Sequence, residues 1–304
     1  MKKRGTPVHG WVVFDKPLGM TSTQAVGKIR RIFDAEKAGH GGTLDPLATG
    51  LLPIALGEAT KTVQWAMDGR KVYRFGVTWG AERSTDDMEG EITAQADARP
   101  TNDSIESILP QFQGVILQAP PAFSAIKIDG ERAYDLARAG QAVAMAERPV
   151  SVDKLVLLNC PDADHAVFEV TCGKGTYVRS LARDMGRKLG CLGHISALRR
   201  VAVGGFLENQ MISLESLEEM SHKPSGDNAK NRALRPLETA LDGIPALAIS
   251  DTEAQRLKQG QPILLRGANA PIACDALLVT WGSKPLGICS IQQGSLKPKR
   301  LFNL

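Results

Sequence analysis

Twelve residues, Gly39-His40-Gly41-Gly42-Thr43-Leu44-Asp45-Pro46-Leu47-Ala48-Thr49-Gly50, constrain this chain more than any other stretch. Three glycines before Asp45 permit positive φ and close approach by another chain. Pro46 biases Asp45 toward an extended conformation, which holds its carboxylate out from the loop. The stretch reads as an ordered loop between a helix and a strand, and such loops often carry function. Asp and Gly also dominate turns, so a structural Asx-turn at Asp45 fits the local physics equally well. No Gly-Lys-Ser/Thr follows, which excludes a phosphate-cradling P-loop.

The flanking sequence supplies a frame for this loop. Residues 11–14 read as a buried strand ending in the turn Asp15-Lys16-Pro17-Leu18-Gly19. Thr21 and Gln24 stand at capping-box spacing, and Val26, Ile29 and Phe33 give the following helix its buried stripe. Residues 51–57 are apolar but broken by Pro53. From Lys71 to Trp79 the pattern alternates, with Tyr73, Phe75, Val77 and Trp79 on one face and Arg74 and Thr78 on the other. Ile105, Ile108, Leu109 and Phe112 mark a second helix, and Leu181, Ala182, Met185 and Leu189 a third. Residues 167–172 are strand-like and lead into Gly173-Lys174-Gly175. Strands and helices interleave without strict alternation, which predicts a mixed α+β fold and not a doubly wound sheet.

The 304 residues suffice for one large core plus a small appended domain. The polar stretch 221–231 is the candidate linker or surface loop. Past Ile244-Pro245 a new unit begins, with a capping box at Ser250 and Glu253, a helix stop at Gly260 and short strands to Leu304. The expected division is therefore 1–245 and 246–304, and a small β-rich domain of the second kind usually binds something.

Five widely spaced cysteines without a C-x-x-C argue for reduced thiols, against a disulfide framework and against structural zinc. The five histidines show no metal-ligand spacing, so metal-free chemistry is expected. No apolar run is long enough to cross a bilayer and no signal peptide is apparent, so a cytoplasmic location is expected. The net charge of +4 allows an acidic partner without requiring one. Basic pairs recur at Arg30 and Arg31, at Arg70, Lys71 and Arg74, at Arg199 and Arg200, and at Lys297, Lys299 and Arg300. One such pair is usually a solvated face; several beside glycine-rich segments predict a basic groove.

Five segments in order carry a resemblance over nearly the whole chain. They are Asp15-Lys16-Pro17-Leu18-Gly19-Met20-Thr21-Ser22, the 39–50 loop, Lys71-Val72-Tyr73-Arg74, Pro120-Pro121-Ala122-Phe123-Ser124-Ala125-Ile126-Lys127, and Gly175-Thr176-Tyr177-Val178-Arg179-Ser180-Leu181, ending in Leu198-Arg199-Arg200. Together they resemble the bacterial tRNA pseudouridine synthase B family. The resemblance implies a pseudouridine synthase catalytic domain, with a largely antiparallel sheet, flanking helices and a thumb-like insertion at about 120–150. It also implies a PUA-like RNA-binding domain at the C-terminus.

The implied reaction converts uridine-55 in the T-arm loop of tRNA to pseudouridine. Substrate and product are isomers, so no energy source, redox cofactor or metal is implied. Asp45 falls on the family's nucleophile, and its route (attack at C1′, attack at C6, or a glycal-type proton abstraction) stays open. Arg179 matches the arginine placed against that carboxylate; a plain surface role is disfavoured because a cation at a helix start opposes the dipole. Tyr73 matches a tyrosine that stacks on the flipped base, although periodicity alone also fits a core residue. Tyr177 matches a second substrate-contacting tyrosine, and Leu198 the leucine closing the base pocket, which read alone is a core leucine. His40 is implied to fill the gap left by the flipped nucleotide, and its glycine neighbours predict exposure. Lys16 and Pro17 are implied to buttress the pocket, and Asp87 to contact tRNA, although an acidic turn such as 85–90 is ordinarily just solvated. Lys127, Arg132, Arg138 and Arg148 of the thumb are offered to phosphates. The partner implied is the tRNA T-arm, with a monomeric protein needing no protein partner. An RNA-binding or tRNA-folding helper and a synthase for another RNA are the rival readings.

Overall fold

A computed structural model describes residues 5–124, 126–128, 130–139, 145–222, 230–265 and 271–304. In chain order the elements begin with β1 (Gly10–Lys16), α1 (Ser22–Ile32), β2 (Ala38–His40), β3 (Ala48–Leu56), α2 (Val63–Asp68) and β4 (Lys71–Trp79). Next come β5 (Ala81–Arg83), β6 (Ile92–Gln95), α3 (Asn102–Ile108), β7 (Gly114–Gln118), β8 (Lys127–Ile128), β9 (Glu131–Arg132) and α4 (Ala133–Arg138). They are followed by β10 (Arg148–Asp162), β11 (His165–Cys172), α5 (Val178–Leu189), β12 (Gly193–Val203), β13 (Phe206–Leu207), α6 (Leu214–His222) and β14 (Leu234–Arg235). The chain closes with β15 (Ala246–Ile249), α7 (Asp251–Lys258), β16 (Ile263–Leu264), β17 (Cys274–Trp281), β18 (Lys284–Gln292) and β19 (Ser295–Leu301).

Among the described residues, ten strands form one sheet in the order β14-β1-β3-β12-β4-β11-β10-β7, with β2 on β3 and β13 on β12. Its pairings are antiparallel except β12 with β3. The strand β12, from late in the chain, inserts between β3 and β4. Leu198 is thereby placed opposite Ala48 on one side and Phe75 on the other. This mixed, largely antiparallel sheet with flanking helices is the expected α+β class.

Every residue of β1 from Trp11 to Phe14 is fully buried because the strand serves two cores. Val12 and Phe14 pack with Leu52, Ile54 and the α1 residues Ala25 and Ile29. Trp11 and Val13 pack on the other face with Leu51 and Phe206. A strand covered on both faces needs no polar alternation, which explains the apolar run. Each such side chain contributes about 1.5–3 kcal/mol by burial. A third core joins Phe75, Val77 and Trp79 of β4 to Phe168 and Val170 of β11, Ile105 of α3, and Leu181 and Met185 of α5.

The capping box of α1 forms, with Thr21 Oγ1 accepting from Gln24 N–H at 3.1 Å and Gln24 Oε1 accepting from Thr21 N–H at 2.9 Å. Ser250 and Glu253 do the same for α7, and Gly260 follows it with a φ of +76°. Pro53, expected to break the apolar run, lies inside β3 opposite Val13. Its carbonyl accepts the Gly41 N–H at 2.8 Å, and β2 ends opposite Ile54, so little is asked of the missing N–H.

The second sheet runs β15-β17-β18-β19-β16. Leu277 and Val279 face a small core with Ala254 and Leu257 of α7. Leu278, Ile288 and Phe302 face the other way and join the Trp11 core. The stretch 221–231 begins inside α6, and its residues 223–229 lie outside the described ones. Within residues 120–150, the expected thumb-like insertion, the described backbone holds the β8–β9 hairpin and α4, while the side chains of Lys127, Arg132 and Arg138 lie outside the described residues. All five cysteines are free thiols. No helix among the described residues is long and apolar enough to cross a membrane.

Candidate active site

The 39–50 stretch is shorter as a loop than its composition predicts. His40 closes β2 and Ala48 opens β3, leaving 41–47 between them. Of the three glycines before Asp45, Gly42 is the one with a positive φ, +120°.

Side chains from two sides pin this loop by its carbonyls. Lys16 is fully buried, and its ammonium donates to the carbonyls of Met20 (2.7 Å), Pro17 (3.0 Å) and Pro46 (3.3 Å). Burial lowers its pKa to about 8, with the Asp45 charge opposing that shift and the Arg200 charge adding to it. Gly19 N–H also donates to the Pro46 carbonyl, at 2.8 Å. Ser22 Oγ accepts from the Leu44 N–H at 2.9 Å and donates to the Leu44 carbonyl at 3.0 Å. From the sheet, Arg200 donates to the carbonyls of Leu51 (2.7 Å), Gly42 (3.1 Å) and Thr43 (3.3 Å). Pro17 itself is exposed, and its carbonyl is one of the Lys16 acceptors.

The Asp45 carboxylate engages Arg179, Oδ2 to Nη2 at 3.1 Å, and no backbone N–H among the described residues. The loop therefore does not use the Asx-turn. The Asp45 side chain is 43% exposed and that of Arg179 only 8%. A buried cation thus holds a carboxylate that still opens outward. Arg179 is fixed in turn by Asp87 Oδ2 at 3.4 Å and by the carbonyls of Thr85 (2.9 Å) and Phe123 (3.1 Å).

Arg179 stands in the first turn of α5, where a cation opposes the helix dipole, and two carboxylates and two carbonyls offset that cost. Gln118 secures the helix start, accepting from Tyr177 N–H at 2.8 Å and donating to the Tyr177 carbonyl at 3.1 Å. One turn on, Arg183 donates to Asp86 at 2.8 Å. The i, i+4 arginines of α5 therefore take up the adjacent pair Asp86 and Asp87. Both carboxylates are buried, 7% and 5% exposed, so within the 85–90 turn these two side chains are not solvated and Asp87 faces Arg179 instead of the outside. Burial raises the Asp86 pKa to about 6 against the pull of Arg183 and Arg179.

Tyr73 and Leu198 sit half-buried where two cores meet. Burial raises the Tyr73 hydroxyl pKa, with Arg200 opposing. His40 is half-buried, with Nδ1 buried and without a hydrogen-bond partner among the described residues. It is thus less open than its glycine neighbours predict. Burial, then the charge of Arg200, lowers its pKa. Tyr177 lies two residues before Arg179, with the Arg148 guanidinium 5.4 Å from its ring centroid.

Several of the basic residues expected to line a groove are paired within the protein. Arg199 pairs with Asp15 through both Nη atoms at 3.0 Å, and Arg74 with Glu169 at 3.0 Å and Glu208 at 3.1 Å. Arg70 pairs with Asp153 at 2.9 Å, Arg200 is 1% exposed, and Lys71 is buried. Ser22, Gln118, Asp86, Arg183 and Arg200 join the site without having been expected there. Ser22 lies in the Asp15–Ser22 segment, Asp86 in the acidic 85–90 turn and Arg200 in a basic pair, whereas Gln118 and Arg183 carry no such signal. Among the described residues, no cluster of His, Cys, Asp and Glu could hold a metal ion.

Residues 30–178 match the family model of TruB family pseudouridylate synthase, N-terminal domain. Residues 179–242 match the tRNA pseudouridylate synthase B C-terminal domain, and 245–302 match pseudouridine synthase II TruB, C-terminal. The tRNA pseudouridine synthase B of Bradyrhizobium diazoefficiens is 58% identical over 298 residues, covering 98% of this chain and 86% of that protein. That of Brucella melitensis is 55% identical over 316 residues, covering 99% and 98%. A solved chain from a Cbf5–Nop10–Gar1 complex is 26% identical with a TM-score of 0.75, covering 97% of this chain and 85% of that one.

Proposed function

Because the chain belongs to the TruB family of pseudouridylate synthases, we propose that Asp45 is the nucleophile of a tRNA isomerase whose target is uridine-55 of the T-arm loop. The enzyme is a tRNA pseudouridine synthase, and its product is an isomer of its substrate. In the isomerisation the N1–C1′ bond breaks, the uracil turns, C5 bonds to C1′, C5 loses a proton and N1 gains one. The atoms balance without a co-reactant.

The observation that carries the assignment of Asp45 is its pairing with Arg179, an open carboxylate on a buried guanidinium. The guanidinium aims the carboxylate, and the open side leaves room for substrate. Attack at C1′, attack at C6 and proton abstraction all fit this arrangement. A uridine in a folded loop must leave its stack to reach Asp45. Tyr73 then offers a ring to stack on and a hydroxyl that stays protonated at neutral pH to assist proton transfer at C5. Leu198 walls the base, His40 occupies the vacated place, and Tyr177 contacts the RNA. Lys16 and Pro17 buttress the loop from behind. Asp87 serves by holding Arg179.

Residues 1–245 form the catalytic domain in this reading and 246–304 a PUA-like RNA-binding domain. In this reading the protein acts as a monomer without a protein partner, in the cytoplasm where tRNA is found. Asp45→Asn tests the nucleophile: pseudouridine should vanish while tRNA binding persists, and unchanged pseudouridine would overturn the assignment. Mapping pseudouridine in total RNA with and without the gene tests position 55.

A further inference from the structure

Beside the Asp15–Ser22 turn, bordered by Pro17 of the site above, lies an open cavity of about 550 Å³. Leu18, Gly19 and Met20 form one wall and the outer face of α1, with Gly27, Lys28 and Arg31, the other. The volume falls within the range of about 300–1,000 Å³ typical of small-ligand pockets.

Four features point to what it holds. Lys28 and Arg31 are exposed and have neither hydrogen-bond nor ion-pair partners among the described residues, unlike Arg70, Arg74, Arg199 and Arg200. No acidic residue lines the cavity. Gly27 sits in mid-helix at an ordinary φ, and no atom lies within 4 Å of where its Cβ would be. Nothing inside the protein requires a glycine there, and an alanine would favour the helix. A side chain missing from an exposed helix face leaves room for a close-packed partner. Leu18, 64% exposed, adds an apolar contact at the rim.

We infer that this groove binds a ribose–phosphate segment of the RNA flanking the target uridine, an inference that rests on the function proposed above. Lys28 and Arg31 take phosphates, Gly27 admits the backbone and Leu18 lies against a sugar. The groove shares a wall with the nucleophile loop, since Gly19 lines the cavity and donates to the Pro46 carbonyl at 2.8 Å. The RNA therefore runs from the groove to Asp45 across one turn of chain.

The test uses the full-length protein and a T-arm stem-loop RNA, with affinity measured across a series of KCl concentrations. The double variant Lys28→Ala/Arg31→Ala should lower the slope of log affinity against log salt by about 1.5, near two phosphate contacts. Its kcat at saturating RNA should stay within about twofold of wild type, because neither residue touches the loop. Gly27→Trp fills the groove without changing charge; it should weaken binding and leave the slope intact, with thermal unfolding confirming the fold. A double variant with the wild-type slope overturns the inference, and so does a folded Gly27→Trp with wild-type affinity. Should the wild-type protein form no pseudouridine in the T-arm RNA, the proposed function itself fails, whatever the variants do.

Discussion

Asp87 Oδ2 lies 3.4 Å from Arg179 Nη1, while Nη2 of the same guanidinium is 3.1 Å from Asp45. One arginine thus joins a buried carboxylate to an open one. Asp87→Asn should leave Arg179 half-anchored and lower kcat by about 10²-fold, the usual cost of a small misplacement, with little change in KM. Stability should drop by about 1–3 kcal/mol. Arg179→Met strands the buried Asp87 and should cost about 3–5 kcal/mol in urea unfolding. An Asp87→Asn enzyme with wild-type kcat would show that the second carboxylate has no positioning role.

Lys16 gives the site a pH signature. Its ammonium loses its proton near pH 8 in the fold, against 10.5 in the unfolded chain. Between those values the unfolded state binds more protons, so the stability contribution rises with pH. The unfolding free energy of wild type minus that of Lys16→Met should climb over this window, by at most roughly 3.5 kcal/mol. Lys71, lowered to about 8 as well, is present in both proteins and cancels. A difference that stays flat with pH would refute the buried-cation account.

The end of the chain is tied to the segment after β3 at Glu58. Its carboxylate accepts from Lys61 at 2.6 Å and from the Asn303 N–H at 2.8 Å. Burial pushes its pKa up, but the Lys61 and Asn303 hydrogen bonds outweigh it and leave the group below the ordinary glutamate value. A depressed carboxyl stabilises above its unfolded pKa, and that contribution is lost as pH falls through the folded value. The protection factor of the Asn303 amide should fall in acid, with about 1–3 kcal/mol at stake. Glu58→Gln should lower it at neutral pH and remove most of the acid dependence.

Gly50 carries the closest packing near the loop. A Cβ there would lie 2.3 Å from the Arg200 carbonyl oxygen, at a φ of +96°. Gly50→Ala should cost at least about 2 kcal/mol in thermal unfolding and displace the Arg200 clamp, so activity falls too. Gly39→Ala, with no atom within 4 Å, should stay near wild type in both measurements. Equal Tm values for the two variants would contradict the packing described.

Local chemistry made much of this protein legible. The capping boxes at Thr21 and Ser250, the alternation of β4 and the apolar run of β1 arise from contacts within a few residues, and they appear where expected. The ordered segments around Asp45, Tyr73 and Arg179 likewise carry the family likeness in the sequence itself.

What only the tertiary structure decided is pairing across distance. Nothing near residue 53 reveals that β1 will flank Pro53, and nothing near residue 200 that β12 will enter between β3 and β4. That insertion turns Arg200 from half of a basic pair into a clamp on Gly42 and Thr43. The fold of α5 onto the 85–90 turn likewise makes Asp87 a buried partner of Arg179. A charged residue written in sequence carries no record of its counter-charge. When the partner lies about ninety positions away, as Asp87 does from Arg179, only the folded chain's exclusion of water decides whether they pair.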